Sequence, residues 1–182
     1  HYILYMRNYY DKYVKYKTKY YNVAYGGNKQ DNSINFFSTA FKNGENIPEK
    51  YTCDGASFGV KIPLVWSNLP ALTKSLAITI VVPDAPNGHF VHWIAWNIAP
   101  TVHNLDENFT NYNTGENSSG KTDYIGPCPP YNHGTHRYII TIYALDITPA
   151  TNIKNYAQLK NSMVGHVVGQ GVLMGKYARF KT

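Results

Sequence analysis

The chain has 182 residues, 43% hydrophobic and 15% charged, which suits one domain with a sizeable core and excludes a disordered polymer. A formal charge of +6 would suit a nucleic-acid partner, but residues 1 to 31 hold six Lys or Arg (Arg7, Lys12, Lys15, Lys17, Lys19, Lys29) against Asp11 and Asp31. The basic character therefore belongs to an N-terminal extension, and nucleic acid is not an expected partner. No apolar run approaches the ~18 residues that would span a membrane, and HYILYMRNYY lacks the apolar centre and cleavage site of a secretory signal.

A cytoplasmic location is the resulting expectation. Two cysteines, Cys53 and Cys128, make no disulfide framework, so a reducing compartment is the default, with a single bridge between these loop cysteines left open.

Residues 8 to 25 carry Tyr10, Tyr13, Val14, Tyr20, Tyr21 and Ala24 near one helical face and Lys12, Lys15 and Lys19 near another, with Gly26 and Gly27 as a stop. This predicts a helix that packs its tyrosines on protein; peripheral membrane contact is the alternative. From residue 33 onward short apolar runs alternate with Gly, Pro and Asn. INFFSTAF (34 to 41), part of IPLVWSNLP, and SLAITIVV (75 to 82) read as strands, the last stopped by PDAPNG.

HFVHWIAWNI (89 to 98) alternates with His92, Ile94, Trp96 and Ile98 on one side and Val91, Trp93 and Ala95 on the other. HRYIITIYALDI (136 to 147) is likewise apolar on both faces, as the middle of a layered β structure requires. Residues 104 to 125 read as a long loop, NIKNYAQLKNSMVGHVVG as a helix near the C-terminus, and GVLMGKYARF as a final strand. The expected architecture is an all-β sandwich with a helix near each end.

Polar residues at the mouths of the two-sided strands are the candidates for chemistry. Asp84 lies in PDAP, His92 follows in the next strand, and His136 and Tyr138, two apart, share a face. If these strands are neighbours, the four gather at one end of the sheet beside the rigid GPCPP loop, whose Pro129 and Pro130 shape a wall without offering an N–H. Imidazoles and a phenol that donate, with a carboxylate to orient them, suit a small phosphate-type anion.

Other chemistries fit less well. The pairs His89/His92 and His133/His136 invite zinc, but strand residues three apart face opposite sides, so no metal ligands are assigned. No G-x-S-x-G elbow or glycine-rich nucleotide loop is present. Cys128 with His136 imitates a thiol and base but lies between prolines. His133 is left out of the cluster because it precedes the strand that aims its neighbours inward.

IPEKYTCDG (47 to 55), PDAP (83 to 86), the H-x-x-x-x-N of HWIAWN, GPCPP followed by HRY, and YALD (143 to 146) resemble, in order, the phosphatidylethanolamine-binding proteins, or Raf kinase inhibitor protein family, in the shorter branch common in bacteria and archaea. The resemblance covers about residues 34 to 180 and leaves residues 1 to 33 without a counterpart. It implies a domain over 34 to 182 of antiparallel Greek-key β-sandwich type, a large central sheet faced by a smaller one, with an anion pocket near the C-terminal helix for phosphate-like and phosphorylethanolamine head groups. His92 and His136 would be donors there, Asp84 the carboxylate, Pro129 and Pro130 the wall and Tyr138 an adjacent donor.

The resemblance also implies regulation of a protein kinase, a protease or a transcriptional complex rather than catalysis, and no cofactor; the alternatives are a kinase or protease inhibitor or scaffold with a vestigial pocket, and a hydrolase using His92, His136 and Asp84. One departure is Val82, which stands where the family pattern DPDAP has its first acid. The chain therefore has one acceptor fewer for an ammonium group.

Overall fold

The computed structural model describes residues 32–55 and 60–180. The helix expected over residues 8 to 25 lies outside them. The described elements are β1 (Asn35–Ser38), a single 3-10 turn (Glu49–Tyr51), β2 (Leu64–Ser67), β3 (Ser75–Ala85), β4 (Gly88–Ile98), β5 (Asn104–Leu105), β6 (Asn113–Thr114), β7 (His136–Leu145), α1 (Tyr156–Ser162) and β8 (Val167–Tyr177).

Five strands form the central sheet in the order β6-β4-β3-β7-β8 and three form the smaller one in the order β1-β2-β5, with every strand pair antiparallel. β3 sits in the middle because SLAITI is apolar on both sides, which only a strand covered on two faces tolerates. Ile78, Ile80 and Val82 of β3, Trp93 and Ala95 of β4, Tyr138 and Ile140 of β7, and Leu64 and Trp66 of β2 belong to one core between the sheets. Each fully buried aliphatic side chain there contributes about 2 kcal/mol.

The opposite face of the central sheet is covered by the segment leading into α1. Trp96 Nε1 donates to the Ala150 carbonyl at 3.0 Å, and Asn97 Nδ2 donates to the Pro149 carbonyl at 3.0 Å. α1 is shorter than the helical spacing of 152 to 169 predicts. Asn155 caps its start, accepting from the Gln158 N–H. After Ser162 the chain turns through Gly165, whose φ of 80° suits glycine, and Val167 already belongs to β8.

Two other boundaries move. PDAP does not stop β3: the strand runs through Pro83 and Asp84 to Ala85, and the chain reverses at once into β4 at Gly88. Within residues 104 to 125, β5 and β6 pair with β2 and β4.

The main correction to the alternation concerns β4. Ile80 pairs with Trp93 and Val81 with Val91, so His92 is an extra residue, a β-bulge. A second irregularity lies between the pairs Ile78↔Ala95 and Leu76↔Ile98, where Asn97 takes a left-handed φ of 59°. Simple alternation groups His92 with Ile94 and Trp96. The bulge instead turns its ring toward Phe90 and Tyr138, on the side of the core that Trp93 also occupies.

Candidate functional site

β4 and β7 flank β3, which brings His92 and Tyr138 together across one end of the central sheet. Their ring centroids lie 5.1 Å apart, edge to face, and the Phe90 ring closes the other side of His92 at 4.8 Å. His136, two residues before Tyr138, shares its face and is also buried. His92, His136 and Tyr138 therefore meet as the alternation of β7 predicts.

His92 Nδ1 lies 2.9 Å from the Ile125 carbonyl oxygen. A carbonyl only accepts, so Nδ1 carries the proton and the neutral ring keeps a lone pair on Nε2. Burial is the main reason its pKa falls to about 4, helped by the charge of His136 and opposed by the bonds to the Ile125 and Gly126 backbone. His136 is also held below the usual histidine value, chiefly by burial and then by His133, with Asp84 acting the other way. Burial pushes the Tyr138 phenol upward, so it stays protonated and able to donate.

Asp84 is near enough to influence His136 but is occupied by a residue that sequence reasoning passed over. Arg137 donates to it three times: Nη2 to Oδ1 at 2.7 Å, Nε to Oδ2 at 2.9 Å and the backbone N–H to Oδ2 at 2.8 Å. Burial alone would raise this carboxyl, and the Arg137 bonds outweigh it and keep Asp84 ionised. Arg137 lies between His136 and Tyr138 in β7, so its side chain leaves on the opposite side of the strand. The Arg in HRY was the available signal for this pairing. Val82, at the position of the missing acid, is buried in the core.

The wall is built as a backbone clamp. Ile125 N–H donates to the His92 carbonyl, and Cys53 N–H donates to the Pro127 carbonyl at 3.0 Å. A Cβ on Gly126 would sit 3.0 Å from the Tyr51 carbonyl oxygen, so glycine lets the two segments run this close without either having to shift. Pro129 is buried and Pro130 exposed, which makes Pro129 the packed part of the wall and Pro130 its outer lip.

Cys53 and Cys128 are joined in a disulfide, with Cα atoms 5.3 Å apart. The sequence default of two free thiols is thereby corrected, as is Cys128 as a nucleophile. The fold brings the two loops side by side despite a separation of 75 residues.

A second correction concerns His133. Its Nδ1 is 2.9 Å from His136 Nε2. The strand argument that separated residues three apart does not apply, because His133 lies before β7 in a turn that folds back. Asn132 (φ 58°) and Gly134 (φ 87°) supply the left-handed residues this turn needs. Among the described residues no group of three or more His, Cys, Asp or Glu has the arrangement of a metal site. Two surface hollows of about 260 and 250 Å³ lie elsewhere, around His89 and Asn117 and around Thr122 and Asn152.

Two facing antiparallel sheets, with histidines and a tyrosine buried at the end of the larger one behind a Gly- and Pro-rich loop, define an all-β protein with a buried polar cluster at one end of its central sheet. The phosphatidylethanolamine-binding protein family model matches residues 37–178. The chain belongs to that family.

Among its relatives, a UPF0098 protein of Pyrococcus horikoshii is 41% identical over 166 residues, 85% of this chain and 81% of the relative. One of Chlamydia pneumoniae is 39% identical over 153 residues, covering 80% of this chain and 99% of the relative. In three dimensions the chain is similar to YbcL of Escherichia coli, described as a new member of the mammalian PEBP family. The TM-score is 0.71 at 25% identity, covering 80% of this chain and 98% of that one.

Proposed function

We propose that this protein binds a phosphate-type anion or phosphorylated head group at the His92, His136 and Tyr138 cluster and acts as a regulator through a protein partner. The observation that carries the reading is the commitment of His92 Nδ1–H to Ile125, which leaves Nε2 as the acceptor of a buried histidine packed edge to face on the buried Tyr138 ring. A monohydrogen phosphate supplies what such a site needs. Its hydroxyl donates to Nε2 while its other oxygens accept from the phenol and from a histidine N–H.

The same geometry supports binding without turnover. A hydrolase using these residues needs the carboxylate to orient a histidine, whereas both oxygens of Asp84 are taken by Arg137 and His92 is oriented by a carbonyl. The engagement of Asp84 and the apolar Val82 also favour a bare phosphoryl group over a zwitterion whose ammonium seeks a free carboxylate.

Calorimetric titration with inorganic phosphate tests the site. His92→Ala and His136→Ala are expected to weaken binding at least about tenfold, as loss of a charge-assisted hydrogen bond does, while keeping the folded circular-dichroism spectrum. Unchanged affinity in both variants would overturn the assignment. Capture assays with kinase and protease panels, run with wild type and the same variants, test the regulatory part; capture that ignores the pocket variants places the partner surface elsewhere.

A further inference from the structure

The site as described leaves out one imidazole that the structure places against it. We propose that His133 is an additional ligand-binding residue, forming with His136 a proton-sharing pair that opens to hold a phosphoryl dianion. This deepens the proposed anion site and rests on it.

The two nitrogens, His133 Nδ1 and His136 Nε2, are 2.9 Å apart with the rings nearly perpendicular, at 73°. A nitrogen-to-nitrogen hydrogen bond of this length holds one proton, because one partner must present a lone pair. If both nitrogens were protonated, two N–H groups would face each other, and His136 is held below the usual histidine value by burial and then by His133. An anion changes this balance. When a phosphoryl oxygen enters between the rings, each nitrogen donates to it, and the pair gains one proton as the ligand binds. The incoming proton is taken from solvent onto the nitrogen that had been the acceptor, and no covalent bond is made or broken in the ligand.

The turn carrying His133 is fastened from several sides, so the contact is a positioned one. His133 N–H donates to the Pro130 carbonyl at 3.2 Å, and Asn132 N–H donates to the Arg179 carbonyl at 2.8 Å. The Arg179 guanidinium lies 3.9 Å over the Tyr131 ring and donates to both oxygens of Asp54, next to the Cys53–Cys128 disulfide. His133 itself is exposed whereas His136 is buried, so the pair links solvent to the interior cluster.

The charged and titratable groups around His136 come from every neighbouring strand. β3 provides Asp84, β4 provides His92, β7 itself provides Arg137 and Tyr138, and Tyr177 of β8 is paired with His136 across the sheet. With Asp84 neutralised by Arg137, no free carboxylate among the groups just named opposes a dianion.

Ligand class follows from the proton count. A monoester or free phosphate is a dianion near neutral pH and gains from two N–H donors, while a phosphodiester such as a membrane lipid head group carries a single charge and gains less. Inorganic phosphate and glycerophosphorylethanolamine separate these sources.

The test is titration calorimetry with both ligands at pH 7 in two buffers of different ionisation enthalpy, which reads protons taken up per ligand bound. Wild type, His133→Asn, His133→Gln and the distant control His103→Gln are compared. His133→Asn and His133→Gln are expected to lose about tenfold in phosphate affinity, to take up fewer protons than wild type, and to bind the diester nearly unchanged. Equal affinity and equal proton uptake in wild type and both His133 variants overturn the role of His133 and leave the anion site standing. If wild type binds no phosphate, the anion site falls and the pair with it. Since His133 is exposed, neither substitution removes core packing, and thermal melts identify a variant lost to misfolding.

Discussion

His92 Nδ1 is 2.9 Å from the carbonyl oxygen of Ile125, a residue of the loop that walls the site. The bond ties the bulge of β4 to that loop and gives the histidine one tautomer. It also sets the direction in which pH acts on this protein.

The folded state depresses the His92 pKa to about 4, below the ordinary value of 6.5. The unfolded chain thus binds a proton first as pH falls. Stability is full above pH 6.5, declines between 6.5 and about 4, and loses nothing further from this group below that. Between pH 7 and 5 the loss attributable to His92 is about 2 kcal/mol. Urea melts at the two pH values should show it in wild type and show it reduced in His92→Phe. His136, depressed for the same main reason, adds to the slope in both proteins.

Phosphate binding should strengthen as pH falls from 8 to 6, because the bound anion raises the histidine pKa values and so takes up protons. A pH series of phosphate dissociation constants checks this, and an affinity that weakens on acidification would contradict it. Phosphorylethanolamine should bind no more tightly than phosphate in the same series, since Asp84 is engaged and Val82 is apolar.

Replacing Arg137 by Met leaves the half-buried Asp84 carboxylate with the backbone N–H of residue 137 but without its two guanidinium donors. The expected loss is about 2 kcal/mol, less than for a fully buried ion pair because both side chains are partly exposed. Asp84→Asn should recover part of that loss in the Arg137→Met background, and a double-mutant cycle measured by chemical unfolding reads the coupling.

Reduction of the disulfide, or the double substitution of Cys53 and Cys128 by Ala, removes a cross-link closing a 75-residue separation. Loop-closure entropy predicts a loss of about 4 kcal/mol. Thiol titration of the unfolded, unreduced protein should find no free cysteine, and finding two would refute the bridge.

The strands were legible where the physics is local. Apolar runs bounded by Gly and Pro located β3, β4, β7 and β8, and two-residue spacing put His136 and Tyr138 on one face. Features set by pairing with a neighbour were not. The bulge at His92 depends on the register of β3 against β4, and no periodicity within HFVHWIAWNI reveals the extra residue. The disulfide depends on the GPCPP loop lying along CDG, a contact between segments far apart in sequence. His133 falls outside the cluster in the sequence because it precedes β7, and no local pattern shows that the turn through Asn132 and Gly134 folds it back onto His136. Arg137 stood in view, but only the proximity of β3 and β7 reveals that it claims the carboxylate assigned to the pocket.

The bridge between Cys53 and Cys128 also divides the molecule topologically. β2, β3, β4, β5 and β6 lie within one covalent ring, whereas β7 and β8 follow it outside the ring, β7 paired with β3 and β8 with β7. A protease that nicks an exposed turn inside the ring leaves both fragments attached, so the cleaved protein gains only the water of hydrolysis and separates into two pieces when a reductant is added. A nick after Cys128 has no such protection, and the strand carrying His136 would depart with the C-terminal fragment on unfolding.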